Sequence, residues 1–270
     1  MHHARLTAAA KACAAATAIV LAACASPPAP AERHAAIVSS ADRAPADRVN
    51  DERRKPAQLL DFIDPRPGGT ALDISAGRGY TTELLARAVG PGGRVYGQRP
   101  PTAASAAPAQ PEGRAAPPPP PTASTALMPT LAERAAKFGN LLAVTRPFED
   151  PVPAEVANGG LDVVTLMFNY HDLGHLQVDR AAMNRAIFRA LKPGGSYVIA
   201  DHAGRPGTGI GESGTLHRVE EDFVVREVQA AGFRLAATGD FLRNPRDPRD
   251  RNTPEPPMPK DEFVLKFVKP

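Results

Sequence analysis

The sequence has 270 residues, enough for one large α/β domain with additional segments. Hydrophobic residues make up 43% of it, so a full core can form even though Trp is absent and aromatic residues are only 5%. The formal net charge is +3. Arg5 and Lys11 precede residue 24 and no acid does, so the remainder is close to neutral. This balance gives no reason to expect a nucleic-acid partner.

Residues 1–24 have the pattern of a bacterial export signal. Arg5 and Lys11 supply a positive region, and residues 12–23 are small and apolar but too few to span a bilayer. The stretch ends in Leu21-Ala22-Ala23-Cys24, which resembles a lipobox, the motif in which the cysteine is lipidated. We therefore expect an exported, periplasmic lipoprotein, anchored to the membrane through Cys24. Because Cys13 would leave with the signal, no disulfide is expected.

Residues 25–45 are rich in Ala, Pro and Ser without periodicity, which predicts a disordered tether. A folded domain is predicted over residues 46–270, beginning with a helical segment that breaks near Pro56. A Pro- and Ala-rich, low-complexity insertion at about residues 100–125 interrupts it. The insertion contains five consecutive prolines and is predicted to loop out of the domain.

Residues 70–98 predict a strand, a turn, a helix and a second strand. The first strand ends in an acid, Asp73, and is followed by the turn Ser75-Ala76-Gly77-Arg78-Gly79. The unit has the size of a parallel crossover. Its glycines let the backbone approach a ligand closely, and the helix N-terminus supplies free N–H donors. We therefore predict a nucleotide-like ligand at this turn.

Strands and helices continue to alternate along the rest of the chain. Strands are predicted at 140–145, 161–168 and 196–200, and helices at 127–138, 179–191 and 217–231. The last two predicted strands, 233–242 and 263–268, have only a loop between them. The predicted fold class is therefore α/β: a Rossmann-like, doubly wound, seven-stranded sheet, mostly parallel with an antiparallel edge hairpin.

Two motifs carry a family resemblance. They read L-D-I-S-A-G-R-G-Y at residues 72–80 and A-L-K-P-G-G-S-Y-V-I-A-D-H at residues 190–202. Together they resemble class I S-adenosylmethionine-dependent methyltransferases. R-K-P-A-Q-L-L-D-F from Arg54, N-Y-H-D-L from Asn169 and L-H-R-V-E from Leu216 more narrowly resemble a bacterial group of predicted methyltransferases, some of them exported. The resemblance covers roughly residues 49–98 and 127–270, and it implies S-adenosyl-L-methionine as cofactor.

The resemblance also implies a set of cofactor-binding residues. It assigns to the methionine part of the cofactor the loop residues Asp73, Ser75, Ala76, Gly77 and Gly79. Gln98 would meet the ribose hydroxyls, Phe148 and Glu149 would flank the adenine, and Asn169 and Tyr170 would line the channel to the methyl group. Independently of the resemblance, all these segments follow predicted strands, and ligands of open parallel sheets bind beyond the carboxyl ends of the strands.

The candidate catalytic residues are Tyr170, His171 and Asp172. Methyl transfer from a sulfonium is an in-line displacement, which needs mainly alignment and exclusion of water. A base is required only where the acceptor must lose a proton. His171 is the candidate base and Asp172 its orienting partner. The methyl acceptor stays open among a small molecule, a lipid and a protein side chain.

Two alternatives to a methyltransferase remain at this point. Ser75 stands where the family pattern has its first glycine, and Gln98 stands where it has a ribose-binding acid. Both departures favour a non-catalytic binding lipoprotein that retains the fold. The i, i+4 spacing of His171 and His175 is typical of metal ligands and suggests a metal-assisted hydrolase as the second alternative. Gly174 interrupts that spacing, so no metal ligand is assigned, and the later histidines, His202 and His217, are expected to be structural.

Overall fold

The computed structural model describes residues 29–101, 128–254 and 257–270. The predicted export signal with Cys24, and the predicted Pro-rich insertion apart from its first residues, lie outside these ranges. Within them, no helix combines the length and the apolar character needed to cross a membrane.

The described helices and strands alternate as predicted. The helices are α1 (Pro30–Ser39), α2 (Pro45–Arg48), α3 (Asp51–Arg54), α4 (Pro56–Ile63), α5 (Tyr80–Val89), α6 (Leu131–Lys137), α7 (Asp172–His175), α8 (Arg180–Ala190), α9 (Ser213–Leu216) and α10 (Glu221–Ala230). The strands are β1 (Thr70–Ile74), β2 (Arg94–Arg99), β3 (Leu141–Thr145), β4 (Leu161–Met167), β5 (Leu191–His202), β6 (Arg234–Gly239) and β7 (Glu262–Val268). A 3-10 turn, Ala154–Val156, precedes β4.

The strands form one sheet in the order β3-β2-β1-β4-β5-β7-β6. The first five strands pair in parallel, and β7 runs antiparallel to both β5 and β6. This confirms the predicted seven-stranded, mostly parallel sheet with an antiparallel pair at its edge. The strand order reverses between β1 and β4, and ligands of such sheets bind in the crevice at this point.

The core lies on both faces of the sheet because successive strand residues point to opposite sides. In β1, Leu72 and Ile74 pack into the cluster that contains α8 and α10 residues such as Ile187. Ala71 faces the other cluster, where Leu59 and Leu85 come from α4 and α5. Helices on both faces explain why β4 is an almost continuous apolar run.

Local backbone features confirm one predicted helix break and change the bounds of two predicted helices. The break near Pro56 is confirmed: Lys55 takes a left-handed backbone conformation, and Pro56 opens α4. The predicted helix at 217–231 is instead split into α9 and α10, because His217 has a φ of 50° and ends α9. The predicted helix at 127–138 begins later, at Leu131, where Thr130 and Glu133 form a capping box.

The described part of the predicted tether is not disordered. Residues 30–39 form α1, which packs on α4 and α5. His34 is fully buried, with its Nδ1 atom 2.6 Å from Asp61 Oδ1. Ile37 and Val38 pack against a buried cluster that includes Tyr80. The alanines that suggested a tether are also strong helix formers, and tertiary contacts decided between the two outcomes.

A buried ion-pair network joins the N-terminal helices to the rest of the domain. The Arg134 side chain on α6 is 1% exposed. Its two terminal nitrogens donate to the Asp47 carboxylate at 2.7 and 2.8 Å, and one also donates to Glu83 on α5. Its Nε donates to the carbonyl of Arg78, in the turn after β1, at 2.7 Å. One guanidinium therefore holds α2, α5 and the predicted ligand loop together.

We expect Arg134→Met to destabilise the fold strongly. The substitution keeps an apolar stem but leaves the carboxylates of Asp47 and Glu83 buried without their cation, which costs about 3–5 kcal/mol. Urea unfolding of the full chain measures this loss. The control is Lys137→Met on the same helix, whose 47% exposed side chain pairs with Asp42 and contributes less than about 1 kcal/mol. Equal losses in the two variants would contradict the proposed importance of the network.

Candidate functional site

A cavity of about 350 Å³ opens at the carboxyl end of β1, within the usual range of roughly 300–1,000 Å³ for ligand sites. Its lining comes from the α2–α3 region, from the turn after β1 with the start of α5, and from two methionines: Asn50, Arg53, Arg54, Asp73, Ser75, Ala76, Gly77, Arg78, Tyr80, Thr81, Met128 and Met167. Four of the predicted loop residues therefore line one cavity beside the reversal of strand order.

The turn after β1 needs left-handed backbone at three positions. Gly77 has a φ of 55°, and a Cβ there would meet no atom nearer than 3.9 Å, so this part of the turn presents an open face. Gly79 has a φ of 86°, and a Cβ there would lie 2.9 Å from atoms of Leu131 and Arg134, so only glycine fits. Ser75 adopts a φ of 56° without being glycine. It therefore carries backbone strain at the cavity wall.

Asp73 combines burial with a position on the cavity. Its carboxylate is 2% exposed and accepts hydrogen bonds from Thr82 Oγ1 at 2.6 Å and Thr165 Oγ1 at 2.7 Å. Burial raises the pKa of Asp73 to about 6, although both hydroxyl donors act in the opposite direction. Asp73 is therefore mostly ionised at pH 7 and puts a negative charge at the carboxyl end of β1.

The structure gives Gln98 a different role from the predicted one. The side chain is fully buried; its Oε1 accepts from the backbone N–H of Ser75 at 2.9 Å and its Nε2 donates to the carbonyl of Arg146 at 2.6 Å. Its own carbonyl accepts from the N–H of Ala76 at 2.8 Å. Gln98 therefore fixes the turn, and its amide does not face the cavity where ribose hydroxyls could reach it.

Three other predicted residues also lie away from the cavity. Phe148 is 4% exposed and packs in the main core, and Glu149, next to it, is only partly exposed. Tyr170 is fully buried in the same core, and its hydroxyl donates to Glu227 Oε2 at 2.8 Å. Phe148 and Glu149 are thus not placed to flank an adenine in this cavity. Tyr170 holds α10 to the sheet, and its side chain does not line this cavity.

The sequence analysis missed Arg54 as a site residue. Its guanidinium stacks over the rings of Tyr80, at 5.1 Å, and Phe168, at 4.9 Å, and it lines the cavity. Burial lowers the pKa of Arg54 to about 10, with Arg53 adding to the effect. No carboxylate of the described residues lies within ion-pair distance of it, so this cation is available to an anionic ligand group. The one sequence signal that pointed to Arg54 was its position at the start of the R-K-P-A-Q-L-L-D-F motif.

A cluster of histidines and carboxylates occupies the carboxyl ends of β4 and β5. His171 is 4% exposed, and its Nδ1 lies 2.6 Å from Asp201 Oδ1. The backbone N–H of His171 donates to the other oxygen of Asp201 at 2.8 Å. Burial lowers the pKa of His171, but Asp201 and Asp172 outweigh it and raise the value to about 10. The predicted base therefore carries its proton at neutral pH and does not act as a proton acceptor in this state.

Asp172 is the centre of this cluster. Its Oδ1 lies 3.1 Å from Nε2 of His171, 3.3 Å from Nδ1 of His217 and 3.8 Å from Nδ1 of His175. Asp172, the predicted orienting partner of His171, thus contacts Nε2 of its ring, whereas Asp201 holds Nδ1. His217, expected to be structural, reaches the cluster from the connection between α9 and α10 through its left-handed backbone. The ring of His202 also approaches that of His171, at 5.4 Å between centroids.

Asn169 connects the cavity to the cluster. Its Oδ1 accepts from Ser75 Oγ, and its Nδ2 donates to Asp172 Oδ2, both at 2.5 Å. The preceding residue, Phe168, has a φ of 59°, an unusual conformation for a bulky side chain. Strain of this kind concentrates at functional sites. A single side chain therefore separates the candidate ligand cavity from the histidines.

Comparison with known proteins identifies methyltransferases. No protein-family model matches the chain. A protein-L-isoaspartate O-methyltransferase from Aeropyrum pernix is 54% identical over 39 residues, 14% of this chain and 15% of that protein. A nocamycin O-methyltransferase from Saccharothrix syringae is 35% identical over 134 residues, 39% of this chain and 48% of that protein. The chain thus spans less than half the length of these curated relatives.

Solved structures extend the likeness to the whole fold. A crystal structure of a SAM-dependent methyltransferase from Aquifex aeolicus is 17% identical in sequence and superposes with a TM-score of 0.52. The alignment covers 83% of this chain and 96% of the Aquifex aeolicus chain. At this identity the likeness shows the fold alone. The chain therefore has the Rossmann-like fold of methyltransferases.

We expect Gln98→Glu, which restores the acid of the family pattern, to destabilise the protein at pH 7. The new carboxylate would be buried 2.6 Å from the Arg146 carbonyl and would have no proton to donate to it, a cost of about 3 kcal/mol. Protonation restores one donor, so the loss should shrink as the pH falls toward 4. Urea unfolding at the two pH values measures this, with Gln58→Glu on the exposed face of α4 as control. A stability equal to wild type at pH 7 would contradict the structural role of Gln98.

Proposed function

We propose that the protein is an S-adenosylmethionine-dependent methyltransferase. The observation that carries the proposal is that a buried carboxylate, Asp73, and a guanidinium without an ion-pair partner among the described residues, Arg54, line one cavity at the reversal of strand order. Both curated relatives are methyltransferases by name, and the Aquifex aeolicus protein is described as SAM-dependent. These lines of support agree on the same reaction class.

The cavity residues suit the charges of this cofactor. S-adenosylmethionine carries a sulfonium and an ammonium cation, an α-carboxylate and an adenosine group. Asp73 offers negative charge to the cations, and Arg54 offers a planar donor fork to the carboxylate. The turn around Gly77 leaves space for the ligand to lie against the backbone. The adenosine partners are not identified, since Gln98, Phe148 and Glu149 lie elsewhere.

The residues around the cavity align the reaction. The bound cofactor supplies an electrophilic methyl group on its sulfonium sulfur. Asn169 lies between the cavity and the histidine cluster, so we place the methyl acceptor on the cluster side of Asn169. Met167 lines the cavity, and the Phe168 ring packs under the arginines of α3, which helps to exclude water.

The acceptor and the location of the protein are further parts of the proposal. The acceptor is a small molecule or another group that reaches the histidine cluster. Export and membrane attachment through Cys24 rest on the charge, length and lipobox-like ending of residues 1–24. A binding lipoprotein without activity is the second candidate, favoured by the burial of Gln98 where the family pattern has a ribose-binding acid.

We expect Asp73→Asn to weaken S-adenosylmethionine binding while stabilising the protein. Loss of the charge removes a charge-assisted contact to the cofactor, worth roughly tenfold in affinity. The raised pKa of Asp73, about 6, means that the folded protein binds more protons than the unfolded chain between pH 4 and 6. Wild-type stability therefore falls as the pH rises through this window. The variant lacks this loss and should be about 2 kcal/mol more stable at pH 7.5.

Calorimetry with the cofactor and urea unfolding of the full chain measure both effects. The control is Asp162→Asn at the opposite end of the sheet, where the carboxylate binds the N–H of Thr70 and Lys192 Nζ, each at 2.8 Å. Because these partners lower the pKa of Asp162, its variant should lose stability without losing cofactor affinity. The proposal fails if wild type shows no binding at millimolar cofactor. Binding without turnover of any acceptor would favour the second candidate.

We expect Arg54→Met to weaken binding of S-adenosylmethionine but not of methylthioadenosine, which lacks the amino-acid part. The loss should be about tenfold, because a charge-assisted pair with the α-carboxylate disappears. Competitive calorimetry with the two ligands separates this effect from a general loss of the cavity. The matched control is Arg94→Met, an exposed arginine at the amino end of β2. A parallel loss for both ligands would show that Arg54 only shapes the cavity.

A further inference from the structure

We infer that His171 Nε2, Asp172 Oδ1 and His217 Nδ1 form a binding site for a divalent transition metal. The three residues come from the start of α7 and the end of α9, and each offers a ligand atom within 4.8 Å of the others. Four of the seven histidines of the sequence gather in this cluster: His171, His175, His202 and His217.

The distances within the cluster, which hold hydrogen bonds when no metal is bound, also suit metal coordination. Zinc binds imidazole nitrogen and carboxylate oxygen at about 2.0–2.2 Å, so neighbouring ligands of a tetrahedral site lie about 3.4 Å apart. Asp172 Oδ1 lies 3.1 Å from His171 Nε2 and 3.3 Å from His217 Nδ1. His175 Nδ1, at 3.8 Å from the same oxygen, is a further donor near the site. The ligand atoms of His171 and His217 lie within 4.8 Å of each other, so they would approach by up to about 1.4 Å to reach this spacing.

The outer contacts also match those of a metal centre. Histidine ligands are usually oriented by a carboxylate on the second ring nitrogen. Asp201, fully buried, holds Nδ1 of His171 at 2.6 Å and thereby aims Nε2 at Asp172. The other oxygen of Asp172 is held by Asn169. Both proposed ligands on this segment are thus held in place by residues far apart in sequence.

The donor set indicates the metal and its coordination. Two imidazoles and one carboxylate suit Zn²⁺ and its neighbours better than Mg²⁺ or Ca²⁺, which prefer oxygen ligands. Three protein ligands leave at least one position open, as in catalytic rather than structural zinc sites. The His217 side chain is 41% exposed, so metal and an exchangeable ligand can reach the site from solvent.

A role for the metal in methyl transfer rests on the proposed function. A metal held by these residues would make an acceptor hydroxyl at its open position more acidic, so that the hydroxyl would lose its proton to solvent. Its oxygen would then form a C–O bond to the methyl carbon as the C–S bond breaks, with the electron pair staying on sulfur in S-adenosylhomocysteine. The substrate class is therefore an oxygen acceptor, a hydroxyl or a carboxylic acid.

Metal binding by the full chain, without cofactor, tests the site itself. Co²⁺ absorption spectroscopy and equilibrium dialysis with Zn²⁺ should show one high-affinity ion per chain. His217→Asn tolerates the left-handed backbone and should weaken binding roughly 10- to 100-fold. His34→Gln, a buried histidine that pairs with Asp61 away from the cluster, is the matched control and should bind as wild type. Because His2 and His3 can also hold metal, the difference between variants is decisive.

The inference is overturned if His217→Asn binds metal as tightly as wild type, or if His34→Gln loses as much. Asp172→Asn, checked for folding by circular dichroism, is the second variant. It should weaken binding to a similar extent and change the Co²⁺ spectrum. These measurements use no cofactor, so failure of the metal site is distinct from failure of S-adenosylmethionine binding, which the Asp73 and Arg54 variants report.

Discussion

The guanidinium of Arg134 connects the parts of the chain that build the cavity. It binds Asp47 in the N-terminal helices, Glu83 on α5 and the carbonyl of Arg78 in the turn after β1. The side chains of Arg134, Asp47 and Glu83 are nearly excluded from solvent, so their charges stabilise the fold only as a set. Because Asp47 lies just before α3, this network also fixes the helix that carries Arg54 over the cavity. The buried charges thus specify where the N-terminal segment docks.

Much of the fold could be predicted because its signals are local. The apolar run of β4, the glycine turn after β1 and the prolines at helix starts each determine backbone conformation within a few residues. Alternation of strands and helices then leaves few topologies. The prediction of a disordered tether at residues 25–45 was wrong over α1 because its signal was not local. Whether an alanine-rich segment folds depends on partners such as Asp61, far along the chain.

The site was only partly predictable, because side-chain direction depends on tertiary packing. Strand ends could be located, and Asp73 and the turn residues do line one cavity. Gln98, near the end of β2, and Tyr170, after β4, also lie at strand ends. The Gln98 side chain binds backbone groups of neighbouring loops, and the Tyr170 hydroxyl binds Glu227 on α10. Arg54 and His217 belong to segments that were predicted to be helical and that do not adjoin the glycine turn in sequence. Arg54 reaches the site by stacking on aromatic rings, and His217 reaches it through its left-handed backbone. The spacing of residues in the sequence reveals neither.

Asn169 determines how the two halves of the site can work together. Its amide accepts from Ser75 Oγ on the cavity side and donates to Asp172 on the cluster side. An aspartate there would set a like charge against the oxygen of Asp172, and an apolar residue would leave that oxygen without its donor. A neutral amide with both capacities meets both requirements. It places the candidate cavity and the proposed metal site next to each other, with the side chain of Asn169 between their carboxylates, Asp73 and Asp172. In the proposed reaction, a methyl group carried in the cavity would therefore meet an oxygen held at the metal site.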